Sequence, residues 1–357
     1  MKHFETFFAQ NYYESIKQWD FIVKNYRKFA LYYRKGSILA KKTMKKTGLS
    51  LLAVFVHMIC LAQNFDVIPL GIYGGEQEDN LSAYLVGAPK GNTFICLDAG
   101  TINTGIRKAI QLKSLQGTEE TILKDQIKGY FISHGHLDHV SGLIINSPAD
   151  SKKDIFAIEP VLQILKNHYF ITDTWINFAD QGQKPMLGKY HYNELKEGIE
   201  IPAQNTPFFL TGYELSHVNP YKSSAALVRK DDHYLLYLGD TGADRIEKSD
   251  RLNTLWDRIS PLVKEGQLNT ILIEVSFPNS QPENLLFGHL TPNLLLEELE
   301  RLKEKTGQNS LENLTIVVTH RKPTKDNPEI IKRELLKNNP LKIRYIFPEQ
   351  GKKISLP

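Results

Sequence analysis

Beyond residue 64 the chain is a series of apolar, strand-length runs bounded by turn residues. FDVIPLG (65–71), LSAYLVG (81–87), TFICLD (93–98) and KGYFIS (128–133) are rich in β-branched and aromatic residues and read as strands. The series continues at 207–216, 224–230, 233–239, 269–275, 314–319 and 342–347. Helical periodicity shows at 101–114, 139–147, 159–169, 291–305 and 328–337. Strand runs first and strand-helix alternation later predict an α/β sandwich of mixed sheets with helices outside. Segment 172–206 has no clean period and carries Trp175, Tyr190, His191 and Tyr192, so it reads as an inserted lid or loop bearing on a substrate. Neither a short-period repeat nor a low-complexity tract interrupts the chain.

The pattern ahead of residue 64 is different. From Met44 come Lys45 and Lys46, an apolar run from Leu49 to Ala62, then Gln63-Asn64. This is the layout of a secretory signal peptide, with cleavage expected after Ala62. A membrane span needs about 20 apolar residues, more than this run offers; a buried core helix is the alternative. Residues 1–43 hold eleven of the 36 aromatic residues ahead of that signal. They are expected to be an artefact of start-site choice, Met44 being the initiator, or else a genuine basic extension. The expected division is thus 1–43, a leader at 44–62 and one domain at 63–357, periplasmic or secreted, or cytoplasmic if 44–62 is no signal.

Charge supports that division. The whole chain is +4, but residues 1–62 carry +8, which leaves −4 on 63–357. A basic nucleic-acid footprint on the body is therefore excluded, and 41% hydrophobic with 24% charged residues is ordinary for a soluble domain. Of the two cysteines, Cys60 falls in the leader and Cys96 in an apolar run, so no internal disulfide is expected and Cys96 reads as a small core residue.

The candidate chemistry lies at 130–148, YFISHGHLDHVSGLIINSP. A strand expected to end at Ser133 is followed by His134, His136, Asp138 and His139, the ligand types that zinc and similar divalent ions favour. The alternate spacing lets His134 and His136 meet one ion while Asp138 and His139 reach a second, and Gly142 allows close packing beneath. Closing two sites needs ligands from other strand ends. His217 follows FFLTGYELS, Asp240 ends HYLLYLGD and His320 ends LTIVVTH, and the two oxygens of Asp240 suit a bridge. A structural zinc site would favour Cys, which is lacking here. His168, His191 and His233 have no such setting and read as surface or packing residues.

HGHLDHVSGLIINSP, from His134 to Pro148, resembles at every position the motif of the class II cyclic nucleotide phosphodiesterases of the metallo-β-lactamase superfamily. LDAGT (97–101), LGDTG (238–242), IEVSFPN (273–279), FGHLTP (287–292) and VTHRKP (318–323) follow the same order. The resemblance implies an αββα sandwich, two mixed β-sheets flanked by helices. It also implies two divalent metal ions, zinc expected with manganese or iron as alternatives. His134, His136 and His217 would hold the first, Asp138, His139 and His320 the second, with Asp240 bridging. Segment 273–292 is also similar to the tRNA-processing nucleases, in which the histidine matching His289 acts near the scissile phosphate.

The implied reaction is hydrolysis of 3′,5′-cyclic nucleotides, cAMP or cGMP, to 5′-monophosphates by in-line attack of a metal-bound hydroxide. Asp138 would orient or deprotonate the water, and His289 would protonate the departing 3′ oxygen. Glu274 would hold the tautomer of His289, with Asp98 as a further supporting carboxylate, and Lys322 would meet the phosphate. The expected partner is a small cyclic nucleotide rather than nucleic acid. Two alternatives stand: another phosphodiesterase of this fold such as a tRNA-3′-processing nuclease, or a non-catalytic metal-binding scaffold.

Overall fold

The computed structural model describes residues 63–357. The expected leader with its cleavage point after Ala62, Cys60 and the 1–43 extension lie outside them. Among the described residues, two sheets of seven strands face each other, in the orders β14-β1-β2-β3-β4-β5-β6 and β13-β12-β11-β10-β9-β8-β7. The first contains β1 (Phe65–Gly71), β2 (Ala83–Gly87), β3 (Phe94–Leu97), β4 (Ile127–Phe131), β5 (Lys153–Ala157), β6 (Tyr190–Glu194) and β14 (Ile354–Leu356). The second contains β7 (Ile201–Pro202), β8 (Phe209–Ser216), β9 (Lys222–Lys230), β10 (His233–Leu238), β11 (Leu268–Glu274), β12 (Thr315–Thr319) and β13 (Arg344–Ile346).

The central strands are largely apolar because both of their faces are buried. In β3, Ile95 and Leu97 enter the core between the sheets, while Phe94 and Cys96 pack outward under helices. β12 alternates likewise, with Val317 inward and Ile316 and Val318 outward. The outer layer of the first sheet is α1 (Asn103–Gln111), α2 (Leu137–Asn146) and α3 (Glu159–Ile164). That of the second is α4 (Arg251–Lys264), α5 (Pro292–Thr306) and α6 (Asn327–Lys337). The layers are therefore αββα. Cys96 is fully buried, as its apolar run predicts.

The expected succession of strand runs and then strand-helix alternation does not run once along the chain. Each sheet instead repeats one plan, antiparallel pairs first (β1/β2/β3; β7/β8/β9/β10), then parallel pairs linked through helices (β3/β4/β5/β6; β10/β11/β12/β13). Parallel neighbours require crossovers, which is why the helices follow β3 and β10. The reading of 172–206 as a lid is also corrected. Tyr190 and Tyr192 belong to β6 and are buried in the core of the first sheet, and Trp175 donates its Nε1–H to Ser147 Oγ at 3.0 Å.

This plan directs the C-terminal ends of β1, β3, β4, β8, β10, β11 and β12 toward one edge of the sandwich. The motif residues sit on that edge.

Candidate metal centre

β4 ends at Phe131, two residues before the expected end, although Ile132 N–H still donates to Phe156. Ser133 to His136 then form an extended turn into α2, whose first turn supplies Asp138 and His139. His217 follows β8 directly, His320 follows β12 directly, and Asp240 comes two residues after β10. Gly142 lets α2 pack tightly against the chain: a Cβ there would lie 2.7 Å from the Ala99 carbonyl oxygen.

Asp240 is the meeting point. Its Oδ2 lies 3.2 Å from His320 Nε2, 3.3 Å from His139 Nε2, 3.8 Å from His134 Nε2 and 4.0 Å from His217 Nε2. His134, His136 and His217 present ring nitrogens within 4.8 Å of one another, and Asp138, His139, Asp240 and His320 form a second such group. His217 Nε2 faces His136 Nδ1 at 3.3 Å, and His320 Nε2 faces Asp138 Oδ2 at 3.2 Å.

Four of the histidines have their other nitrogen committed. His139 Nδ1 donates to Asp98 at 2.7 Å and His217 Nδ1 to the Gly288 carbonyl at 2.9 Å. Ser133 Oγ gives its proton to Asp98 at 2.7 Å, so it accepts from His134 Nδ1 at 3.0 Å. Ser276 Oγ gives its proton to Glu274 at 2.6 Å and accepts from His320 Nδ1 at 3.0 Å. Each Nε2 lone pair is thereby turned toward Asp240, the tautomer that metal ligation requires.

The two halves of the sandwich supply matching supports. Asp98, after β3, accepts from His139 directly and from His134 through Ser133; Glu274, ending β11, accepts from His289 Nδ1 directly at 2.7 Å and from His320 through Ser276. Both carboxylates are fully buried and collect further donors: Ser133 N and Tyr237 Oη on Asp98, Thr241 N and Leu290 N on Glu274. His136, the exposed member, stacks on Tyr221 with centroids 4.8 Å apart and rings 2° from parallel. Gly288 lies at φ 76°, where a Cβ would sit 2.5 Å from His217 Nδ1. Sequence reasoning missed Ser133, Ser276, Tyr221 and Gly288 as supports, although each lies within four residues of a residue it did name.

These residues fit a pair of divalent cations. The Nε2 atoms of His134 and His139 are buried and have no hydrogen-bond partner, a costly arrangement unless something else satisfies them. Burial holds the pKa of His134 well below the ordinary histidine value, that of His217 at about 4 and that of His136 lower than usual, so all three are neutral donors at pH 7. Burial also opposes charge on His139, but Asp240, Asp98 and Asp138 outweigh it and raise its pKa well above normal. Asp138 and Asp240 go the other way: despite burial, the surrounding histidines keep both carboxylates ionised. The cluster thus concentrates negative charge around lone pairs and calls for positive charge at its middle.

A cleft of about 400 Å³ opens over the cluster, lined by Gly75, His136, Leu137, Asp138, His217, Val218, Asp240, Phe287, His289 and Lys322. Every predicted site residue except Asp98, His134, His139, Glu274 and His320 reaches this lining, and those five are buried. No residue of 172–206 takes part.

The family described as cAMP phosphodiesterases class-II matches residues 116–344. The chain belongs to this family. It is 40% identical to a 3′,5′-cyclic-nucleotide phosphodiesterase of Aliivibrio fischeri, over 81% of this chain and 92% of that one. It is 37% identical to a probable 3′,5′-cyclic-nucleotide phosphodiesterase of Yersinia pestis, over 87% of this chain and 94% of that one. In fold it is similar to unliganded yeast PDE1, with a TM-score of 0.73 and 22% identity, covering 82% of this chain and all of that one. The metallo-β-lactamase fold protein YhfI of Bacillus subtilis gives a TM-score of 0.54 at 15% identity, over 82% of this chain and 99% of that one. The αββα layers of this class-II family member are therefore a metallo-β-lactamase fold.

Proposed function

We propose that the chain hydrolyses 3′,5′-cyclic nucleotides to nucleoside 5′-monophosphates at a dinuclear metal centre. The observation that carries this reading is Asp240, whose Oδ2 lies within 4.0 Å of four histidine Nε2 atoms, in a chain of the class-II family. His134, His136 and His217 would hold one ion and Asp138, His139 and His320 the other, with Asp240 reaching both. The His/Asp donor set suits zinc, and accepts manganese or iron. Bound there, the cations would neutralise the anionic diester and lower the pKa of a water toward neutrality.

The chain's own residues do the rest. Asp138 Oδ2 accepts from Gly75 N–H at 2.7 Å, which fixes the carboxylate at the cleft wall where it orients the attacking water. His289, with Nδ1 given to Glu274, keeps Nε2 as its free nitrogen. Burial disfavours its charged form, yet the charge and hydrogen bond of Glu274, with Asp240, raise its pKa above the usual value. A protonated His289 is suited to supply the proton that the strongly basic 3′ oxygen needs on departure. Lys322 lines the same cleft and would contact the phosphate.

A product assay with cyclic AMP, cyclic GMP and a 2′,3′-cyclic nucleotide tests the reading. Metal-replete protein should release 5′-AMP or 5′-GMP, and dialysis against a chelator should abolish release until metal is restored. Activity confined to RNA or lactams, or indifferent to the chelator, would overturn it.

The proposal extends to location. Export through 44–62 would leave a mature, mildly acidic chain starting at Gln63. Intact-mass measurement of native protein should give that start, and a mass including residues before Met44 would refute both the cleavage and the proposed initiator.

A further inference from the structure

Two residues on the cleft wall are placed at an energetic disadvantage. Val218 has φ 54° and Phe287 has φ 52°, left-handed backbone that is uncommon outside glycine and an outlier for a β-branched residue. Both side chains are also apolar and exposed, 48% for Val218 and 62% for Phe287. Such strain persists only where surrounding structure enforces it, and it gathers at ligand sites. The enforcement is visible here. Gly288, itself at φ 76°, packs so tightly on His217 and Val218 that an added Cβ would lie 2.6 Å from Val218 N and 2.9 Å from its Cγ2. The turn carrying Phe287 and the loop carrying Val218 are thus locked together, and they belong to one wall of the cleft.

The position of the wall points to what it meets. Val218 follows the metal-ligand candidate His217, and Phe287 precedes the proton-donor candidate His289 by two residues. Leu137, 65% exposed, extends the apolar lining beside His136. A cyclic nucleotide has an anionic end and a planar base with two apolar π faces, about one ribose apart. A cleft of about 400 Å³ lies in the usual range for small-molecule sites. We infer that Phe287 and Val218 form the wall on which the nucleobase of the cyclic nucleotide stacks while its phosphate occupies the His/Asp centre. This rests on the phosphodiesterase reading above and adds to it how the base is held. Lining side chains outside the His/Asp centre are apolar apart from Lys322, so the wall reads a π face rather than a hydrogen-bonding edge. Such recognition separates adenine from guanine only weakly, since strong discrimination needs polar groups that a wrong base leaves unpaired.

Binding of the product tests the wall without turnover. In titration calorimetry on metal-replete protein, wild type should bind 5′-AMP about ten-fold or more tighter than ribose 5-phosphate, the advantage expected of one base-aromatic stack. In Phe287→Ala the two ligands should bind within about two-fold of each other, with ribose 5-phosphate affinity and metal content as in wild type, whereas Phe287→Trp should restore the preference. Steady-state assays should show the Phe287→Ala loss in KM for cyclic AMP and cyclic GMP alike. A Phe287→Ala protein that keeps the 5′-AMP preference, or a wild type that lacks one, overturns the wall. Failure of cyclic nucleotide turnover in wild type would instead defeat the reading on which it rests.

Discussion

Asp240→Ala is expected to empty both metal positions, not one. Its Oδ2 lies within 4.0 Å of the Nε2 atoms of His134, His139, His217 and His320, and although burial opposes its charge, His320, His139 and His289 hold the carboxylate ionised. Without it, the first group keeps three imidazoles and no negative charge, while the second loses one of its two anionic ligands. Metal analysis of the purified variant should show occupancy lowered at both positions. Turnover should fall by about a thousand-fold or more, since metal ions supply several kcal/mol of charge stabilisation in such reactions. Asp240→Asn keeps the shape without the charge and should lose metal nearly as fully. An unchanged metal-to-protein ratio in either variant would contradict the bridging position.

The candidate ligands were legible because each follows a strand whose pattern is hard to misread. His217, Asp240 and His320 sit after FLTGYELS, HYLLYL and TIVVT, runs that bury one or both faces, and parallel pairing of β10, β11 and β12 then places strand ends together. Elements that depend on tertiary partners were not legible. β5 opens on Lys153, a residue that reads as surface but is buried against the carboxylate of Asp150, which also accepts from Tyr130 and Tyr190. β6, YHYNE, is an edge strand whose Tyr190 and Tyr192 are buried on the face that packs under the helices while His191 stays exposed, so its short alternation passes for loop. β14 has three residues and exists through its pairing with β1.

Helix α4 was missed although Leu252, Leu255, Trp256, Ile259 and Val263 follow helical spacing and are buried. Pro261 within it signals a break. Ser260 Oγ donates to the Asp257 carbonyl that Pro261 cannot reach, at 3.2 Å, and the helix continues. The supports of the site were hidden for a similar reason. Ser133 and Ser276 matter only because Asp98 and Glu274 take their hydroxyl protons, and each of those contacts is made by the packing at the strand ends rather than by any local pattern. Glu247, buried and accepting from Ser216 Oγ and Asn219 N, likewise holds the loop after His217 without any motif to announce it.

His289→Ala should separate proton transfer from metal binding. Its Nδ1 is taken by Glu274 at 2.7 Å, and it lines the cleft, so removing the ring withdraws a proton source while leaving the seven proposed ligands in place. With cyclic AMP, kcat should fall about 10²–10⁴-fold, the range for loss of a general acid, with metal content unchanged. The loss should shrink sharply on an aryl phosphodiester, whose leaving oxygen departs without a proton. Equal losses on both substrates would indicate a purely structural role, and loss of metal would make His289 a ligand instead. Glu274→Gln provides the internal contrast. That carboxylate supports His289 directly and also His320 through Ser276, so its replacement should reduce both proton transfer and metal occupancy, where His289→Ala reduces the first alone. The difference between the two variants isolates the share of Glu274 that acts through His320.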